Sequence, residues 1–177
     1  LGSDDANFVG NGNRLLLDLF DAKVELVDNL DNADEQLEAL AARLGLGQRV
    51  RFRGSRSEDE VRAALAEADL FVLPSIVADD GQMEGLPVAM MEALASGVPT
   101  VSTALSGIPE LVVDGVTGLL SVPGDAADLN ATLAAMLARG PATIDFAEAG
   151  RALVVNEFDV HQSASMLGDL LSAADRD

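Results

Sequence analysis

Glu84 and Glu92 are the residues of this chain best placed to do chemistry together. They stand eight positions apart in DDGQMEGLPVAMMEALASGVP, Asp79 to Pro99. Glu84 lies in a loop-like stretch beside Gly85 and Pro87, and Glu92 lies within a run that reads as helix. A helix opening at Pro87 leaves its first backbone N–H groups unpaired and carries the positive end of its dipole there. Such an end suits a phosphate. Gly85 admits close approach of a ligand, while Pro87 removes one donor and presets the helical φ. A diphosphate at the helix start, a sugar on Glu84 and a ribose on Glu92 would use all three features, if the ligand ran along the helix face. On spacing alone the plainer account is stronger: Glu84 favours the dipole and Glu92 is solvated surface.

The elements that must hold these residues are legible around them. Leu70–Leu73 is an unbroken apolar run ended by Pro74, the pattern of a strand buried on both faces of a parallel sheet. The following loop, Ser75 to Leu86, is long for a compact domain, and long ordered loops tend to carry function. Pro87 fits the first turn of a helix that runs to about Ser96 and ends at Gly97. Strands are expected at Phe8–Gly10, Val24–Val27, Val50–Arg53, Thr100–Ser102 and Gly118–Leu120. Helices are expected over Arg14–Phe20, from Asp31 or Asn32 to Gly45 (inner positions Leu37, Leu40, Ala41 and Leu44), and from a Ser57 cap with Glu60 three residues on. Val61, Leu65 and Ala68 form the inner face of the last of these. Asp125 caps a further helix carrying Leu129, Leu133, Met136 and Leu137. Residues 144–177 hold two closing helices, one with Met166, Leu167, Leu170 and Leu171 on one face. Residues 1–7 are polar, acidic and expected to fray. Alternation of strand and helix predicts an α/β, Rossmann-like, mostly parallel sheet with helices on both faces. Ligands of such sheets bind at the carboxyl ends of strands, where the loop before Pro87 falls.

Composition narrows the chemistry. At 177 residues with 49% hydrophobic content, one domain spanning 1–177 is expected. No run approaches the ~20 apolar residues that span a bilayer, and no signal sequence opens the chain. The absence of an initiator Met at Leu1 points to a fragment or a processed product. With no Cys and His161 alone, disulfides, thiolate metal sites and multi-His zinc sites are excluded. A net charge of −19 makes nucleic acid and anionic membranes poor partners. Arg49, Arg51, Arg53 and Arg56 form the one basic cluster and read as a solvated strand face. Met83, Met90 and Met91 read as core filler before pocket lining. His161 reads as helix-end surface. Ser102, Thr103 and Ser106 read as loop hydroxyls that touch a ligand or order turns.

The block from Asp69 to Leu129 resembles the C-terminal half of retaining glycosyltransferases of family 4, which have the GT-B fold. It carries that family's Glu–seven residues–Glu motif as Glu84 and Glu92. It then carries SGVP at 96–99, SGIPE at 106–110, DGVTGLL at 114–120 and VPGD at 122–125, in order. The stretch ADDGQMEGLP looks most like bacterial exopolysaccharide and colanic-acid-type members, and Leu37–Asp69 fits the same pattern. The resemblance implies one half of a GT-B fold that binds a nucleotide-diphosphate sugar. By it, Glu84 is catalytic, holding donor-sugar hydroxyls and stabilising the transferring sugar. Glu92 holds the ribose, and the N–H groups of Gly85, Leu86, Val88 and Ala89 face the diphosphate and sugar. It implies no metal and no other cofactor. It also implies a glycan or lipid-linked acceptor held by a separate N-terminal domain, and a cytoplasmic place at or near the inner membrane face. Glu110 holds its loop or touches ligand.

Three features depart from the family pattern. The acceptor-binding N-terminal domain is not in these residues. The Arg and Lys that clamp phosphates after the first strand are reduced to Arg14, out of register. The Gly-rich loop after the next strand appears as Asp28-Asn29-Leu30-Asp31-Asn32, with two carboxylates that would repel a diphosphate. The alternative reading is therefore a degenerate, non-catalytic nucleotide-sugar-binding or interaction module that needs a separate acceptor-domain partner.

Overall fold

The computed structural model of the chain describes residues 24–26, 38–39, 41–47, 49–78 and 80–174. The expectations placed on residues 1–20, on the Asp28–Asn32 loop and its cap, and on Leu37 and Leu40 lie outside these.

Short strands pair only in parallel among the described residues, and each pairing requires a crossover between its strands. Strand β1 (Val24–Leu26) pairs with β2 (Val50–Phe52), Val24 opposite Val50. Strands β3 (Phe71–Leu73), β4 (Thr100–Thr103) and β5 (Leu119–Ser121) form a second group in that order, with Leu73 opposite Ser102 and Thr103 opposite Ser121. Between them run helices α1 (Glu58–Glu67), α2 (Val88–Ala95) and the short α3 (Ile108–Leu111). After β5 come α4 (Ala126–Ala138), a 3-10 turn (Gly140–Ala142), α5 (Thr143–Glu157) and α6 (Val160–Ala174).

Local chemistry accounts for most of these boundaries. The Ser57 hydroxyl accepts the Glu60 N–H while the Glu60 carboxylate accepts the Ser57 N–H, so the predicted capping box opens α1. Asp125 opens α4 by accepting from the N–H groups of Ala127 and Asp128. Helix α2 stops at Gly97, whose φ of +74° a residue with a side chain would resist. There the Gly97 N–H bonds Leu94 O and the Val98 N–H bonds Ala93 O, a Schellman ending.

The β3–β5 sheet is packed on both faces. Phe71 and Leu73 meet Met90 and Leu94 of α2, Ile108 and Leu111 of α3 and Val154 of α5. On the other face Val101 meets Leu129 and Met136 of α4 and Phe146 of α5. Met90 and Leu94 are fully buried, and each such side chain contributes about 1.5–3 kcal/mol. Helix α2 is thereby fixed against the sheet through its Met90–Leu94 side, leaving the Val88–Ala89–Glu92 side to solvent.

Several expectations are corrected. Val72 is 37% exposed rather than buried, because β3 is an outer strand of the β3–β5 group and α4 covers the neighbouring Val101 instead. Pro87 is the N-cap of α2, with extended backbone, rather than a residue of its first turn; its carbonyl accepts from Met90 and Met91. Leu137 lies on the exposed side of α4. On α6 the apolar stripe is present, but Met166, Leu167, Leu170 and Leu171 are all exposed. Ser102 and Thr103 belong to β4 and are buried, not loop hydroxyls.

Candidate functional site

Two loops meet at the carboxyl end of the β3–β5 sheet. The first leaves β3 at Leu73 and enters α2 at Pro87; the second leaves β4 at Thr103 and enters α3 at Gly107. The first is pinned where it starts. Ser75 N–H turns back onto Leu73 O at 3.0 Å. The Ser102 hydroxyl donates to Leu73 O and the Thr103 hydroxyl to Ser75 O, each at 2.6 Å. Further on, Ala78 N–H bonds Gln82 O, Gly81 N–H bonds Ala78 O, and the Asp80 carboxylate accepts Gln82 N–H, which closes a small turn before Met83.

Glu84, Gly85 and Leu86 follow that turn and are exposed, while Pro87 is buried beneath them. Val88 and Ala89 begin α2 on its solvent side, and Val88 is 64% exposed. Glu92 lies one turn further along the same side, because positions four apart share a helix face; the displacement along the axis is about 6 Å. The carboxylates of Glu84 and Glu92 make no hydrogen bond or ion pair among the described residues. The N–H groups of Gly85, Leu86, Val88 and Ala89 likewise have no hydrogen-bond partner there. The structure thus leaves every predicted site residue exposed: four backbone donors around the start of α2, with Glu84 just before them and Glu92 one turn into the helix. That arrangement can hold an anion on the amides and hydroxyls on the carboxylates.

The second loop supports the first. Ser106 has φ +50°, and Gly107 follows at the cap of α3. A Cβ built on Gly107 would lie 2.9 Å from Gly85 O and 3.2 Å from Leu86 Cγ and Cδ2. Glu110 is exposed and its carboxylate makes no hydrogen bond among the described residues, so the loop-holding role offered for it is not seen. Met90 is core, as expected, whereas Met83 is 52% exposed beside Glu84. His161 is exposed surface, its N–H accepted by the Asp159 carboxylate. Arg56 bonds the Glu60 carboxylate and the Arg53 carbonyl.

Sequence reasoning names Ser102 and Thr103 as hydroxyls that touch a ligand or order turns, and misses the distant partners they act on. Ser102 and Thr103 reach carbonyls 29 and 28 positions away, and Gly107 faces Gly85. Glycine in SGIPE was the one available signal, but it named no partner.

Comparison with known proteins identifies the family and the fold. Residues 16–153 match the family model described as glycosyl transferases group 1, and the chain belongs to that family. It is 42% identical over 139 residues to the amylovoran biosynthesis glycosyltransferase AmsK of Erwinia amylovora, covering 78% of this chain and 34% of AmsK. It is 48% identical over 101 residues to WcaL of Salmonella typhimurium, named for colanic acid biosynthesis, covering 57% of this chain and 25% of WcaL. The fold superposes on Anabaena Alr3699/HepE in complex with UDP, with TM-score 0.75 and 28% identity, over 86% of this chain and 41% of that one. The chain therefore spans well under half of these relatives. Among the described residues, no helix is long and apolar enough to cross a membrane.

Proposed function

We propose that residues 1–177 form the nucleotide-sugar donor domain of a retaining glycosyltransferase of exopolysaccharide biosynthesis. The observation that carries this reading is the exposed start of α2, where four N–H groups without a partner among the described residues lie between Glu84 and Glu92 in the chain. The amides of Gly85, Leu86, Val88 and Ala89 take the diphosphate and sugar, Glu92 takes the ribose hydroxyls, and Glu84 takes donor-sugar hydroxyls. In the transfer, the bond from the anomeric carbon to the diphosphate oxygen breaks and its electron pair leaves with the nucleoside diphosphate. A bond forms from the same carbon face to an acceptor oxygen, whose proton is released. Charge that develops on the sugar is stabilised by Glu84, and charge on the leaving group by the oriented amides. The amides and the helix dipole serve where other transferases use a metal ion, so EDTA leaves donor binding unchanged.

The relatives support the choice of ligand and pathway class. HepE was crystallised with UDP and with UDP-glucose, and AmsK is named for amylovoran biosynthesis. The acceptor, a glycan or lipid-linked sugar, is held by a domain outside these residues, and the complete enzyme works in the cytoplasm at the inner membrane face. Calorimetry with UDP and UDP-glucose tests the reading. Glu92→Gln weakens both ligands, whereas Glu84→Gln weakens UDP-glucose more than UDP. Equal binding of both ligands by both variants refutes it.

The reduced phosphate clamp and the carboxylates of Asp28 and Asp31 favour a second reading for the isolated chain: it binds donor weakly and transfers little or no sugar without an acceptor-domain partner. Sugar transfer by the purified chain alone would refute that part.

A further inference from the structure

Gly107 has no backbone reason to be glycine. Its φ of −80° and ψ of −4° lie in the right-handed region open to other residues. What excludes a side chain is what it would touch: Gly85 O at 2.9 Å and the Leu86 side chain at 3.2 Å. These obstacles differ in kind. The Leu86 side chain is 41% exposed and can swing away; the carbonyl is main chain and moves only if the peptide turns.

The geometry points to Gly107 as the positioning residue of the donor loop, fixing the direction of the Gly85–Leu86 peptide. This inference rests on the donor-domain reading above. A trans peptide directs its carbonyl and its N–H oppositely in one plane, and the described residues contain no cis bond. With Gly85 O seated against Gly107, the Leu86 N–H points away from the second loop. That N–H has no hydrogen-bond partner among the described residues. A Cβ at Gly85 would meet no described atom within 4 Å, and glycine turns freely. In the second loop, Gly107 leaves that carbonyl the space a side chain would take. Ser106 adopts φ +50°, a costly conformation for serine, in the residue that delivers Gly107 to this contact. A methyl group at 107 displaces the carbonyl, turns the Leu86 N–H from the ligand and brings an oxygen dipole toward an anion.

The test uses the 177-residue chain with UDP and uridine. Loss of a hydrogen bond to a charged group predicts that Gly107→Ala weakens UDP about tenfold to a hundredfold. Uridine, which lacks phosphates, binds as before, whereas a general loss of structure would weaken both. The double variant Leu86→Ala/Gly107→Ala removes the side-chain obstacle and keeps the carbonyl one, so UDP stays weak; full recovery would overturn the proposal. If Gly107→Ala does not fold, amide spectra of the wild-type chain decide: the Leu86 signal must shift on adding UDP, and an unmoved signal overturns the role. A wild-type chain that binds no UDP overturns the donor reading and this role with it. Wild-type binding matched by a folded Gly107→Ala overturns the positioning role alone.

Discussion

Replacing Thr103 by Val removes one hydroxyl and nearly nothing else. Thr103 is 2% exposed, and its hydroxyl donates to Ser75 O, itself on a residue 2% exposed. No other hydrogen bond reaches that carbonyl among the described residues, so the variant leaves a buried acceptor unpaired. Leaving such a group unsatisfied costs about 1–3 kcal/mol. Ser102→Ala is the natural comparison. Its hydroxyl donates to Leu73 O, which also accepts the Ser75 N–H, so that acceptor keeps a partner. Only the net value of one hydrogen bond is lost, about 0.5–1.5 kcal/mol. Thr103→Val must therefore cost about twice as much, although it opens no cavity and Ser102→Ala opens a small one. With a urea m-value of about 2 kcal/mol/M, the midpoint falls by about 1 M for Thr103→Val and about 0.5 M for Ser102→Ala, at unchanged m. Urea titration followed by circular dichroism measures both. Equal shifts, or a larger one for Ser102→Ala, would refute the claim that the Ser75 carbonyl depends on Thr103.

Gly150 and Gly168 predict opposite outcomes for the same change to Ala. Each gains about 1 kcal/mol in helix propensity. At Gly150 the new Cβ would lie 2.6 Å from the fully buried Leu94 Cδ2 and 3.3 Å from Thr117 O. Overpacking costs about 1–3 kcal/mol and outweighs the gain, so urea stability falls. At Gly168 the Cβ meets nothing within 4 Å, and helicity at 222 nm rises. Glu60 predicts a pH effect. Its hydrogen bond from the Ser57 backbone, then those from Arg56 and the Ser57 hydroxyl, hold its pKa below the ordinary 4.5. Its stabilisation of α1 is complete above that value and is lost as pH falls through the lower folded value. An NMR titration must show a depressed midpoint for Glu60, and Glu60→Gln must flatten that acid limb. Residues 74–87 and 104–110 contain no Lys or Arg, and the net charge is −19. Raising salt to 0.15 M should then leave UDP binding unchanged or tighten it, by screening repulsion. Weaker binding would reveal a cation clamp.

The sequence was most informative where a pattern is local. The capping box at Ser57 and Glu60, the Asp125 cap and the Gly97 ending each depend on residues within a turn of one another, and all were readable. Helix α3 is not legible, because Pro109 and Gly107 suggest loop and four residues give no periodicity. The exposure of Val72 is not legible, because a continuous apolar run does not reveal whether its strand is central or outer. Within the candidate site, Glu84, Glu92 and the neighbouring amides are singled out by their motif. Their supports are not, since Thr103 to Ser75 and Gly107 to Gly85 are contacts that chain folding creates. Glycine and threonine at those positions satisfy many local explanations, and the sequence offers no reason to prefer the distant one.

The surrounding motifs take on a different meaning once placed. SGVP supplies the left-handed glycine that ends α2. DGVTGLL is a turn whose Thr117 hydroxyl donates to Leu111 O and accepts Val113 N–H. There a Cβ on Gly118 would meet Thr100 O at 2.4 Å. Asp114 accepts Leu120 N–H, and Asp128 accepts Val122 N–H beside VPGD. Apart from SGIPE, which touches the loop before α2, these residues close the ends of helices and strands. This ordered set of motifs is therefore mainly a scaffold that holds one loop and one helix start at the carboxyl end of the sheet. A cation binds phosphate from many directions, but an N–H does so only along its own axis. A site whose phosphate contacts are amides depends on the scaffold that orients them, and the substitutions that damage it most need not lie at charged residues. Buried or small residues such as Gly107 and Thr103 can then matter as much for donor affinity as either glutamate.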